Sequence, residues 1–185
     1  MDPKPKDSSF IFTSNVDGHF STSGWTDQIL ECHGSLMYLQ CLENCGQIPW
    51  LTQNSVTEGI DVCMETLRCI SKLPNCPACH SLARPNILMF SDFYWDLSKI
   101  SQQEKELENW LSIHANQKLL VIEIGAGVNI PTVRSFCEKT KEFYDCGMIR
   151  INPRDYLVPS GVDALPLRAL ESLELLDSEI LKFLS

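Results

Sequence analysis

Residues 29–45, Ile-Leu-Glu-Cys-His-Gly-Ser-Leu-Met-Tyr-Leu-Gln-Cys-Leu-Glu-Asn-Cys, bring a histidine close to a cysteine pair, Cys41-x3-Cys45. A second pair, Cys76-x2-Cys79, begins 31 positions after Cys45. Two close pairs separated by a few tens of residues suit tetrahedral Zn2+. Each pair supplies two thiolates from one knuckle turn, and the chain between them loops back to join the knuckles. Pro74 and Pro77 stiffen the second knuckle and Gly46 frees the first. Four sulfurs leave no open coordination position, so such a site is structural. The competing readings are thiols buried in a core, or a disulfide. His80, beside Cys79, is a rival ligand for a shell that four thiolates already complete. Cys32, Cys63, Cys69, Cys137 and Cys146 have poorer spacing and read as core or surface thiols. His33 is open to three roles from its residue type alone: ligand, catalytic base, or a polar residue ending a helix at 26–31.

Composition narrows the class of molecule. The 185 residues are 44% hydrophobic and 21% charged, which fits a globular protein with one core, or a core plus a small module. A net charge of −9 argues against a general nucleic-acid-binding surface. The opening Met-Asp-Pro-Lys-Pro-Lys-Asp-Ser-Ser-Phe has no apolar core of a secretory signal, and no apolar run is long enough to span a bilayer. The nine cysteines are therefore expected to be reduced thiols of an intracellular protein, cytoplasmic or nuclear, with no membrane partner.

These residues must be carried by three stretches. Residues 10–40 open on a β-type run, Phe10-Ile11-Phe12-Thr13, followed by a Gly-containing turn, a short helix around 26–31 and a strand near 35–40. Residues 41–90 are cysteine-rich with scattered Pro and Gly. From 101 onward the pattern alternates. Leu107, Trp110 and Leu111 mark a helix over 102–115. Leu119-Leu120-Val121-Ile122-Glu123-Ile124 is a buried-strand run, and Pro131 can open the next helix. Met148-Ile149-Arg150-Ile151-Asn152 is another strand, and the 3- and 4-residue apolar repeat over 165–184 predicts a closing helix.

Two strand ends carry residues suited to ligands. Gly125-Ala126-Gly127 follows a strand and precedes a helix, a way to bring backbone N–H groups near phosphate, although the same pattern also makes a plain tight turn. Asn152 ends the next strand and is either at the same edge or a turn-former. Asn15 and Asp17, in Thr13-Ser14-Asn15-Val16-Asp17-Gly18, are either an amide and a carboxylate offered to one ligand or ordinary Asx-turn residues, which the local chemistry favours.

In order along the chain, these pieces resemble the sirtuins, the NAD-dependent protein-lysine deacylases. The family's Thr-Gln-Asn-x-Asp strand end is matched by Thr13-Ser14-Asn15-Val16-Asp17, and its Glu-x-His-Gly by Glu31-Cys32-His33-Gly34. Two zinc-binding cysteine pairs follow. Then come Arg84-Pro85, a Phe-Gly-Glu turn matched by Phe90-Ser91-Asp92, a Gly-Thr-Ser-like turn matched by Gly125-Ala126-Gly127, and Ile151-Asn152. The resemblance runs from about Phe10 to the C-terminus. It implies an α/β fold with a partial Rossmann-like parallel sheet: 1–40 and 91–185 form an incomplete NAD-binding domain, and 41–90 form a small zinc-binding module. It also implies NAD as cofactor, held by Ser14, Asn15, Asp17, Gly125, Ala126, Gly127 and Asn152, with one structural zinc on Cys41, Cys45, Cys76 and Cys79. The acyl-lysine oxygen of a protein or peptide substrate would attack the nicotinamide ribose, and His33 would act as general base on a ribose hydroxyl. Imidazoles suit this because they exchange protons near neutral pH. The alternatives are a sirtuin-like protein ADP-ribosyltransferase and a non-enzymatic, zinc-stabilised interaction module.

The departures from the family set an expectation of their own. Sirtuins carry a Gly-Ala-Gly-x-Ser loop for the pyrophosphate and an Asp-Phe-Arg segment, and this sequence has neither. Ser14 replaces Gln, Ser91 replaces a Gly, and Gly127 stands where Ser is common. A truncated product, a further chain supplying the N-terminal half, or weakened NAD binding would each account for this. Calorimetric titration of this chain with NAD is expected to give a Kd weaker than low micromolar. Binding of roughly −8 kcal/mol would show that other residues make the site.

Overall fold

The protein is described by a computed structural model covering residues 8–52 and 60–184. It divides after Trp110 into two compact units.

The first unit starts with β1 (Ile11–Thr13) and β2 (Ile29–Glu31), paired parallel in the register Ile11↔Ile29 to Thr13↔Glu31. Between them lies the single-turn helix α1 (His19–Thr22), entered through Gly18 at φ 71°. The short helix expected around 26–31 is not formed: Ile29, Leu30 and Glu31 are a strand with all three side chains buried. A three-residue run buried on both faces has no periodicity that separates helix from strand, and the pairing with β1 decides it. No helix therefore exists there for His33 to end.

The chain turns at Cys32-His33 into β3 (Gly34–Cys41), the longest strand among the described residues. β3 pairs antiparallel with β4 (Trp50–Leu51) and with β7 (Ala83–Ile87). A small hairpin, β5 (Val62–Cys63) with β6 (Arg68–Cys69), adds order to the cysteine-rich stretch that hydropathy left blank. Helix α2 (Ser98–His114) contains most of the expected 102–115 segment and buries Ile100 and Leu107.

The second unit is a parallel three-stranded sheet in the order β10-β9-β8. β8 (Leu120–Ile124), helix α3 (Thr132–Tyr144) and β9 (Gly147–Ile151) form a βαβ crossover, and β10 (Asp163–Leu165) adds to the far side of β9. Pro131 is the N-cap of α3, whose Val133, Phe136 and Cys137 pack with Val121, Met148, Val158 and Val162. The closing helix α4 spans Ala169–Leu184 rather than starting at 165. Leu165 is taken by β10, and Pro166 disfavours helical geometry in the residue before it. No described helix is long and apolar enough to cross a membrane.

One contact governs the first unit. Gly34 sits at φ 81°, and a Cβ there would press into the carbonyl oxygen of Asn86 and lie 3.0 Å from the Ile87 Cα. The β3 and β7 backbones therefore approach as closely as they do because residue 34 has no side chain. Gly34→Ala is expected to destabilise the chain by about 2–3 kcal/mol, from the left-handed backbone and the displaced strand together. Chemical denaturation at equilibrium measures this, and an unchanged midpoint would contradict it.

Candidate functional site

Cys41 ends β3, and the chain leaves it through a tight turn with Asn44 at φ 47° and Gly46 at φ 92°. The second knuckle is a loop closed by an Asn75↔Leu82 bridge, with Cys76 N–H donating to Ser81 O and His80 N–H to Cys76 O. These two turns bring the Sγ atoms of Cys41, Cys45, Cys76 and Cys79 within 4.8 Å of one another. Cys41–Cys79 is 3.5 Å and Cys45–Cys76 is 3.6 Å. A tetrahedron with Zn–S bonds of about 2.3 Å has S–S edges of about 3.8 Å, so the donor set fits one Zn2+. Hydrogen bonds from Ser81 lower the Cys79 thiol, while contact with the neighbouring thiols raises that of Cys45. His80 lies outside the cluster; at φ 63° it forms the corner that closes the Cys76–Cys79 turn. All nine cysteines are free thiols.

His33 occupies the turn between β2 and β3, half-buried. The turn is tied down on every side. Cys32 N–H donates to Thr13 O, and Leu88 N–H donates to His33 O. Glu31 N–H donates to the Gln103 side chain at 3.1 Å, while the buried Glu31 carboxylate pairs with Lys99 at 2.6 Å. Lys99 also lies 4.5 Å above the Tyr38 ring. Burial and the Glu31 charge both push the Tyr38 hydroxyl above its ordinary range. Gly34 anchors the far side against Asn86. These bonds fix the backbone of the turn that carries the imidazole.

Between the thiols and His33, β3 carries a buried polar network. Asn86, fully buried, donates to Gln40 Oε1 at 2.8 Å and to Asp96 O at 3.0 Å. Gln40 in turn donates to Tyr94 O and accepts from Asp96 N–H. This fixes the segment that follows β7. Ser91 stands there at φ 58°, in the left-handed region a glycine would favour. The turn is held instead by Asp92, whose carboxylate pairs with Arg84 at 2.8 Å and accepts from Tyr94 N–H. Burial raises the Asp92 carboxyl, but the Arg84 contact outweighs it and holds the group below the usual carboxylate range. Asn15 and Asp17 are exposed beyond β1, with Ser14 half-buried beside them. Asp17 accepts from His19 N–H at 3.0 Å, an Asx turn, and its other oxygen is 3.5 Å from the His19 ring.

In the second unit, Gly125-Ala126-Gly127 follows β8, with Gly125 at φ 70° and its N–H on Ile151 O. Asn152 does sit at the same sheet edge, and its side chain is turned into the protein. Its Nδ2 donates to Ala126 O at 3.1 Å, and its Oδ1 accepts from Arg154 and Asp155 N–H. Beneath these loops lies an ion cluster that hydropathy does not reveal. Arg150, 1% exposed, makes two bonds to Glu123, at 2.6 and 2.9 Å, one to Glu138 at 2.7 Å and one to Leu157 O at 2.6 Å. Burial disfavours the guanidinium charge, and the two carboxylates more than restore it. One signal for the pair was in the sequence: opposite charges sit inside two apolar strand runs, and Glu123 and Arg150 are register partners.

Residues 3–121 match the Sir2 family. A probable bifunctional ADP-ribose hydrolase/ADP-ribosyltransferase of Fusarium oxysporum f. sp. cubense is 31% identical over 133 residues, which are 68% of this chain and 22% of that protein. A NAD-dependent protein deacylase of Leptospira interrogans serovar Lai is 27% identical over 156 residues, 83% of this chain and 53% of that protein. Among solved structures, a Sir2 with a p53 peptide and NAD+ has the same fold, with a TM-score of 0.59 at 17% identity over 92% of this chain and 62% of that one. The chain thus spans about half the length, or less, of these curated relatives.

Metal content tests the thiol cluster directly. Purified protein is expected to carry about one zinc per chain, as a single four-thiolate site requires. Cys76→Ser should release it and lower thermal stability, because a structural metal contributes folding free energy. Metal-free protein of undiminished stability would contradict the assignment.

Proposed function

Because the chain belongs to the Sir2 family, we propose that it acts as a NAD-dependent protein-lysine deacylase. The observation that carries this is the clamped His33 turn at one end of the strand pair whose other end gathers four thiols. The names of the similar bacterial proteins support the same reading. In this assignment 41–90 is the zinc module, with Cys41, Cys45, Cys76 and Cys79 as ligands. Residues 1–40 and 91–185 serve the dinucleotide, and an acylated lysine on a protein or peptide is the substrate. The five cysteines outside that cluster, none of them in a disulfide, suit a reducing, intracellular compartment.

NAD, when bound, supplies the ADP-ribosyl group and a nicotinamide leaving group. The chain's own contribution is the proton and the backbone. His33 takes a proton from a ribose hydroxyl, carried on a turn whose backbone is already bonded in place. Ser14, Asn15 and Asp17 are assigned to the nicotinamide and its ribose, with the exposed Asp17 carboxylate as a hydroxyl acceptor. Gly125, Ala126 and Gly127 supply backbone groups to the rest of the dinucleotide. Asn152 acts by holding Ala126 rather than by reaching outward. The zinc takes no part in the chemistry. Counting along β3 at about 3.3 Å per residue puts Cys41 on the order of 20 Å from the His33 turn.

A second reading has its own support. Two relatives are named for ADP-ribosyl transfer, among them the 31% identical fungal protein. The product separates the two. With an acetyl-lysine peptide and millimolar NAD, a deacylase gives the free lysine peptide and an O-acyl-ADP-ribose, whereas a transferase gives ADP-ribosylated protein. His33→Ala is expected to lower product formation by about 10²–10⁴-fold with zinc content and melting temperature preserved. Loss of zinc or of folding in that variant would make His33 structural and remove the catalytic assignment.

A further inference from the structure

The loop after β8 ends on Gly127, which has no side chain to anchor it, and what holds the loop comes from α3 and β9. Arg134, on α3, donates from Nη2 to two carbonyls, Ala126 O at 3.0 Å and Asp155 O. Its Nη1 is 3.5 Å from Leu157 O, which Arg150 also engages. One guanidinium thus ties the loop after β8 to the loop after β9, and Asn152 adds a second bond to Ala126 O. The consequence lies across the peptide plane. No described peptide is cis, so the Gly127 N–H points opposite to the Ala126 carbonyl. With that carbonyl drawn onto Arg134 and Asn152, the Gly127 N–H is turned away from them, on an exposed residue.

We infer that Arg134 is a positioning residue for cofactor binding: by holding the Ala126 carbonyl inward it presents the Gly127 N–H as a donor to an oxygen of the dinucleotide. This rests on the NAD reading above. A planar guanidinium can serve two carbonyls from one nitrogen and a third from the other; a lysine ammonium is a point donor on a flexible stem.

The test titrates the full chain with ADP-ribose and follows amide resonances by NMR, a method that reads weak binding. In the wild type the Gly127 amide should shift on titration. Arg134→Met, folded and with zinc retained, should bind at least tenfold more weakly and leave the Gly127 amide unmoved. Arg134→Lys should fall between the two. Equal binding by wild type and Arg134→Met would overturn the inference and leave the NAD reading standing. No binding by the wild type would overturn both. If both variants unfold, Arg134 is a stability residue and the positioning role fails.

Discussion

The first unit depends on how closely two backbones approach. β3 and β7 meet at Gly34 and Asn86 with no room for a side chain, and the pairing runs from Gly34↔Ile87 to Cys41↔Ala83. That register does two things at once. At one end it seats the His33 turn against Leu88. At the other it sets Cys41 beside the strand that leaves the second cysteine knuckle. The four-thiol cluster is therefore not an appendage to the histidine turn; both are ends of one strand pair. The Gln40–Asn86 network guards the middle of the pair, where an irregularity between Ser35 and Leu39 would otherwise weaken it.

The second unit is organised by charge rather than by a glycine. Glu123 and Arg150 face each other from adjacent strands, and Glu138 reaches them from α3. Removing one member of such a buried cluster costs about 3–5 kcal/mol, because a charge is left without its partner. The cluster joins β8, α3, β9 and the Leu157 carbonyl in one set of directional bonds. Apolar packing around Cys137, Met148 and Val162 has no such direction. The loops that follow β8 and β9 inherit their shape from these arginine contacts and from Asn152.

Several features were legible in the sequence because their causes are local. The two cysteine pairs carry their own knuckle turns, so spacing alone points to the four-thiol cluster. The parallel strands at 120–124 and 147–151 and the helix over 132–144 follow from hydrophobic period and from Pro131. The order of short motifs from Thr13 to Asn152 is likewise a property of the chain. What the sequence could not decide depended on partners distant along it. Ile29-Leu30-Glu31 is a strand only because β1 lies beside it, and 165, already disfavoured for helix by Pro166, joins a sheet because β9 lies beside it. Asn152 offers the same amide whether it faces outward or inward, and the Ala126 carbonyl and two backbone N–H groups turn it inward. Glu123 and Arg150 stand out as opposite charges in two apolar runs, but only the paired strands show that they meet each other. Local propensity acts over a few residues, whereas burial and electrostatic pairing act between segments, and only the folded chain brings those segments together.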